Sequence, residues 1–253
     1  MFRALLQKVD EKAIEKLGVK DKKEADVIVK KLKGAEYKIA EIEQKEVRRN
    51  PLPPFTTSTL QQTCGQMLHF SAKLTMQLAQ QLYEQGLITY HRTDSVSLSQ
   101  LSLNTAKTFL QKTYGAKYWP GFHRTFKTKS RGAQEAHEAI RPTNFNIKEI
   151  GKNKNEKRLY NLIWRRTLAS QMSDSIFERT VANITISNSN LNFKAEGEVQ
   201  IFDGFLKLYN RSSSENEKKL PKLKENSSIN FKHIISKEIF SKLPSRNFTL
   251  LSL

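Results

Sequence analysis

The sequence predicts an α+β fold of more than one domain. Three observations carry this. Segments with helical spacing of apolar residues crowd into residues 50–176. Segments with alternating, β-branched character lie on either side, in 1–49 and 177–253. Between the first two sections NPLPP (50–54) breaks the chain, because prolines so close together suit neither a helix nor a sheet interior.

The first section, 1–49, mixes short strand-like pieces with one charged helix. In DKKEADVIVKKLKGA, Ala25, Ile28, Val29 and Leu32 recur at helical spacing and Gly34 supplies a stop. YKIAEIEQKEV then alternates, with Tyr37, Ile39 and Ile42 on its apolar side, and reads as a strand. The middle section, 50–176, reads mostly helical. TTSTLQQTCGQMLHF opens on hydroxyl residues that can cap a helix. SAKLTMQLAQQLYEQG carries Leu74, Leu78 and Leu82 on one stripe, with Ser71 as N-cap and Gly86 past its end. LITY is a short β-like run. LSQLSLNTAKTFLQKTYG is another helix, stopped near Gly115, and QEAHEAI a short one, closed by Arg141-Pro142. NEKRLYNLIWRRTLASQM is a strong helix with Leu159, Leu162, Ile163 and Leu168 inward. Two helices followed by a short strand resemble a helix-turn-helix or winged-helix unit.

In 177–253, FERTVANITISN and LNFKAEGEVQ alternate and read as two strands joined by a turn at SNSN. NRSSSENEKKLPKLKENSS reads as a polar loop before INFKHIISKEIF.

With 253 residues, 38% of them hydrophobic, the chain can bury one large core or two smaller ones. No apolar run reaches membrane length and no secretory leader is visible, so a membrane partner is not expected. One cysteine, Cys64, excludes an intramolecular disulfide and a cysteine-rich zinc site. A cytoplasmic setting fits. Charge is the loudest global signal: 43 Lys+Arg against 25 Asp+Glu, a net +18. The excess is concentrated. Residues 51–176 carry 17 basic and 7 acidic side chains, net +10, against net +4 in each flanking section. Solvated lysines could account for the flanks, but a concentrated excess points to a polyanion, most often nucleic acid.

Within that basic section lies LITYHRTDS (87–95). If the stretch is extended, side chains two apart point the same way, so Tyr90 and Arg92 share a face. A phenol is mostly protonated at neutral pH, and a neighbouring guanidinium favours its ionised form and can hold a phosphate oxygen. Thr89, Thr93, Asp94 and Ser95 add donors and acceptors. A bare Tyr-x-Arg carries little weight, because it also describes a strand-end tyrosine beside a surface arginine.

The longer motifs decide. The chain resembles type IA DNA topoisomerases, in particular bacterial topoisomerase I. LITYHRTDS resembles the family's active-site tyrosine motif; PPFTTSTLQQ before it and QEAHEAIRPT after it resemble family signatures in the expected order. LYNLIWRRTLASQM, FDGF (202–205) and PSRNFTLLSL (244–253) extend the resemblance across nearly the whole chain.

The resemblance implies that Tyr90 is the nucleophile, attacking a DNA phosphodiester and keeping the five-prime phosphate as a phosphotyrosine. It implies that Arg92 stabilises the scissile phosphate, and that His137 lies near the active site as a proton shuttle or phosphate ligand. Thr93, Asp94, Arg141, Arg165 and Arg166 become DNA-binding candidates, although adjacent arginines cannot share one helix face and one of that pair should be structural. It also implies an architecture: 1–49 and 177–253 as two passages of a β-rich arch, with the helical domain 50–176 inserted between them.

Departures from the family pattern matter equally. His91 stands where bacterial members commonly have methionine; in an exposed loop that exchange should be harmless. The family's Toprim domain binds Mg2+ through a glutamate and a DxDxE cluster, and no D-x-D occurs in this sequence. No metal ligand is therefore expected here. The sequence ends before the family's glycine-rich segment and zinc modules, so it reads as an internal piece. Mg2+ and a separately encoded Toprim-containing fragment are then expected partners, with single-stranded or negatively supercoiled DNA as substrate. Two other readings are weaker: a non-catalytic single-strand-binding piece, and a tyrosine recombinase, whose order of arginines, histidine and late tyrosine is absent.

Overall fold

A computed structural model describes residues 2–9, 12–13, 22–126, 138–187, 189–209 and 219–230. His137, the first half of QEAHEAI, most of INFKHIISKEIF and PSRNFTLLSL lie outside the described residues. The fold is mixed α and β, and its Cα atoms cluster into two compact units. One comprises Met1–Gln44, Thr180–Gly197 and Leu220–Leu253; the other comprises Lys45–Arg179 and Glu198–Lys219.

The first unit is built on strands. Among the described residues the strands are β1 (Leu5–Val9), β2 (Lys12–Ala13), β3 (Tyr37–Arg49), β4 (Ser175–Ile186), β5 (Ser189–Phe202) and β6 (Ser228–Ile229), ordered β2-β1-β5-β4-β3-β6 in one sheet; β3, β4 and β5 run past the first unit, their residues 45–49, 175–179 and 198–202 belonging to the second. Pairing is antiparallel where β1 meets β2 and β5, and where β3 meets β6. The helix α1 (Lys22–Leu32) ends as its sequence predicts, with Gly34 in the left-handed region at φ 77°. The cores here are small. Leu32, Ile186 and Leu191 form one cluster; Ala182, Ile184 and Ala195 form another. Alternation in β3 buries Ile39 and half-buries Tyr37, while Ile42, out of phase with them, is also half-buried; the strand reading of YKIAEIEQKEV stands.

The second unit is helical: α2 (Thr57–Leu68), α3 (Ala72–Glu84), α4 (Gln100–Tyr114) and α5 (Lys154–Ser170). Each begins where a hydroxyl or amide side chain can accept its free amides. Thr56 forms a capping box with Thr59, Ser71 accepts from the Leu74 amide, Ser99 from Ser102, and Asn153 from Asn155 and Glu156. The core is deep. Leu159, Leu162, Ile163, Trp164 and Leu168 of α5 meet Leu78 and Leu82 of α3, Leu110 of α4, and Phe55. The Trp164 indole N–H donates to the Phe145 carbonyl at 2.9 Å, so the largest buried ring leaves no orphan donor. FDGF joins this unit through a short 3-10 turn, Gly204–Tyr209. Gly204 has φ 49°, and a β-carbon there would overlap the backbone of Ser173 and Asp174, so only glycine fits.

Two local readings of the sequence need correcting. LITY is not a strand. Ile88 makes a single bridge to Pro142, and the chain then bends at Thr89, His91 and Arg92. Bends so close together leave no ladder for neighbouring backbone to join. QEAHEAI does not end as a helix either: Glu138 to Ile140 are non-helical, and Ile140 bridges to Phe55. Arg141-Pro142 enforces this, because the residue before a proline is pushed out of the helical region.

Candidate active-site loop

Three separated motifs converge. The amide of Ile140 donates to the Phe55 carbonyl at 2.9 Å, joining AIRPT to the entry of α2. The amide of Thr89 donates to the Arg141 carbonyl at 2.9 Å, and the Thr143 amide donates to Leu87 at 3.0 Å, joining AIRPT to LIT. Thr89 Oγ1 adds a donation to the Ala139 carbonyl at 2.7 Å and accepts from the Arg141 amide at 2.9 Å. Residues 138–143 thus lie between the α2 entry and the tyrosine segment.

The tyrosine segment itself has two faces. Tyr90, Arg92 and Asp94 are exposed, Tyr90 by 42%. His91, Thr93 and Ser95 between them are buried. The alternation read from the sequence therefore places Tyr90 and Arg92 on the solvent side despite the bends. The buried side is fastened to α2 by Thr57. Its hydroxyl donates to the His91 carbonyl at 2.8 Å and accepts from the Thr93 amide at 2.9 Å, while the Thr57 amide donates to the Thr93 carbonyl at 2.9 Å. Thr93 Oγ1 accepts from the Ser95 amide at 3.1 Å. A loop held on one face by buried hydrogen bonds presents the other face with little freedom.

Three rings meet on this segment. Tyr90 stands edge-on to Tyr83 of α3 and edge-on to His91, each at 5.2 Å between centroids, and Tyr83 lies 6.0 Å from His91. His91 is 1% exposed, which corrects the expectation of an exposed-loop position. Bends at His91 and Arg92 turn its ring inward beneath Tyr90. Burial holds its imidazole below the usual histidine range; the Arg92 cation pushes the same way and Glu84 opposes. Its Nδ1 has no hydrogen-bond partner among the described residues.

The remaining candidates divide. The Arg141 guanidinium grips Glu138, with contacts of 2.7 Å and 3.2 Å, and donates to the Pro142 carbonyl at 3.0 Å. Burial pushes the Glu138 carboxyl up, but hydrogen bonds from Arg141 and Ser99 outweigh it and leave the group below the usual carboxylate range. Arg166 lies over the Phe55 ring at 4.3 Å, and burial lowers its pKa while Tyr209 opposes. Arg165 is half-buried, and the Nε of each arginine is buried without a partner among the described residues. Sequence reasoning missed Thr57, Tyr83, His91 and Glu138. The hydroxyl run TTST was legible as a helix cap, but nothing local signals that its second threonine reaches a segment more than thirty residues away.

Comparison with known proteins agrees with this geometry. A family model described as DNA topoisomerase matches residues 2–252. The chain belongs to the type IA DNA topoisomerase family. It is 42% identical to DNA topoisomerase 1 of Rickettsia felis over 97% of its own length, and 39% identical to that of Campylobacter jejuni over 96%. It spans about a third of the length of these relatives, 34% and 36%. The solved structure of full-length topoisomerase I from Thermotoga maritima superposes with a TM-score of 0.70 at 32% identity, covering 90% of this chain and 37% of that one.

Proposed function

We propose that this chain carries the strand-cleaving segment of a topoisomerase reaction, with Tyr90 as nucleophile. The phenol oxygen bonds to the phosphorus of a single DNA strand, and the bond to the three-prime oxygen breaks. The phenol proton ends on that departing oxygen, and a five-prime phosphotyrosine remains. Reversal religates the strand after passage, which relaxes negative supercoils in the whole enzyme. The observation that supports this reading most is Tyr90, exposed beside Arg92 on a loop whose opposite face is fastened by Thr57 and AIRPT. A nucleophile needs reach and a fixed aim, and this arrangement offers both.

Roles follow from placement. Arg92 and Asp94 face solvent with Tyr90; Arg92 neutralises the phosphate and Asp94 is the acceptor beside it. Thr93 secures the loop from beneath. Arg141 acts through Glu138 by fixing AIRPT. Arg166 braces Phe55, and Arg165 is the one of the pair left for DNA. His137 keeps the role its motif implies, as proton carrier or phosphate ligand. The middle section, 50–176, is the winged-helix-like domain inserted between arch passages 1–49 and 177–253. The setting is the bacterial cytoplasm.

Magnesium is implied by the family for the complete enzyme, where it would neutralise phosphate charge. Among the described residues no group of three or more His, Cys, Asp or Glu side chains could hold a metal ion. The described residues do not fit it. A Toprim-containing partner is the proposed source. No described helix is long and apolar enough to cross a membrane.

The test combines the chain with a Toprim-containing partner, Mg2+ and a single-stranded oligonucleotide labelled at its three-prime end. A labelled covalent adduct is expected on a denaturing gel, and none with Tyr90→Phe. An adduct that survives the substitution would assign the chemistry to another tyrosine. The chain alone should not relax negatively supercoiled plasmid, with or without Mg2+, and should bind the oligonucleotide with an affinity that falls steeply with salt.

A further inference from the structure

His91 sits in the wrong surroundings for a passive residue. A histidine that only fills space buries an apolar edge and bonds both nitrogens. This one is 1% exposed, leaves Nδ1 without a partner among the described residues, and touches Tyr90 ring to ring at 5.2 Å. Its backbone carbonyl is held by Thr57, which fixes the point from which the buried ring projects. We propose that His91 is a positioning residue for Tyr90, fixing the phenol through edge contacts and holding a proton opposite the phosphate that Tyr90 carries. The proposal rests on Tyr90 as the nucleophile.

The charges around the ring say when the proton arrives. Arg92, on the same segment, repels a second cation. Glu84 of α3 attracts one. Tyr83 and Tyr90 present aromatic rings, and Thr57 of α2 presents only a hydroxyl. In this balance burial wins and the imidazole is neutral. A phosphodiester held at Tyr90 adds one fixed negative charge beside the ring. It also engages Arg92, so the repelling cation is partly neutralised. Both changes favour imidazolium. During bond exchange the oxygen–phosphorus bond to Tyr90 forms, the bond to the three-prime oxygen breaks, and the diester keeps one negative charge throughout. The proton therefore comes from solvent when phosphate arrives and stays while the linkage lasts. A methionine at this position would fill the space without this response.

The experiment reads the proton directly. The chain is labelled at its histidines, five in number, and the His91 signal is assigned by its loss in His91→Phe. Its titration midpoint is measured by NMR in the unmodified chain, and again with O-sulfotyrosine incorporated in place of Tyr90. The sulfate ester carries one fixed negative charge, as the diester does, and needs no DNA or partner. The midpoint of His91 should rise; an unmoved His91 midpoint overturns the proposal. His91→Phe keeps a ring edge against Tyr90 but cannot titrate. In unmodified chain the Tyr90 ring signals should step with pH alongside His91, and that step should vanish in His91→Phe. A step that persists in His91→Phe also overturns it. Failure of Tyr90 as nucleophile would show separately, in the adduct assay, and would leave both NMR signals as they are.

Discussion

The helical unit and the sheet unit are stabilised very differently. The first packs Trp164, Tyr160, Phe55 and Phe145, all at most 2% exposed, into one continuous core. The second is held by strand pairing and by small clusters in which alanines fill two of three buried positions around Ile184. The candidate nucleophile sits on the unit with the deep core. A site whose geometry must hold to fractions of an ångström benefits from surroundings that cannot relax. A sheet with thin cores bends at lower cost.

Truncation should expose this difference most strongly. Trp164→Ala removes a fully buried ring, its indole hydrogen bond and its edge contact with Phe109 at 5.9 Å. A loss of about 3–5 kcal/mol is expected, read by denaturant titration of near-UV circular dichroism. Ile184→Ala in the sheet should cost about 2 kcal/mol, because partly exposed neighbours can close over the space. Equal losses at the two positions would dissolve the comparison.

The next effect is local. Thr57→Ala removes the hydroxyl that binds both His91 and Thr93. It should cost about 1–2 kcal/mol, with faster amide exchange at Thr93 and unchanged exchange in α5. Exchange that rises throughout α5 would mean that the clasp supports the whole core and not the loop alone.

The smallest effect is on the acid side. The folded-state pKa of Glu138 lies below its unfolded value of 4.5. Its contribution is therefore complete above that value and is lost as pH falls below it toward the folded value. The Thr89 amide, bonded to Arg141, should lose exchange protection in that window. Glu138→Gln should lower protection at neutral pH and flatten the acid-side change.

Much of the helical unit is legible in the sequence because its signals are local. Ser71, Thr56 and Ser99 cap the helices they precede, and Gly86 follows a helix end with positive φ. Leu78 and Leu82 are buried as their stripe requires, while Leu74 packs at the edge. The exposed face of the tyrosine segment is legible too, since it needs only a period of two. Its other face is not. His91 reads as a loop residue until Tyr83 and Glu84 at the end of α3, and Thr57 of the more distant α2, close around it. LITY misleads because apolar, β-branched residues fit a single bridge as well as a strand. QEAHEAI misleads at its end, where Glu138 to Ile140 leave the helical path before Arg141-Pro142 is reached.

The alternation along 90–95 has a consequence for how this segment can change. Because outward and inward positions interleave singly, identity and length are under separate constraints. Exchanging a side chain at Arg92 or Asp94 alters what meets the solvent and leaves the clasp beneath intact. Adding one residue transposes the positions beyond it: directly after Tyr90 it turns His91 outward and Arg92 and Asp94 inward, and Thr57 loses its partners. The segment behaves as a fixed-length ruler, open to substitution on its outer edge and closed to insertion anywhere along it.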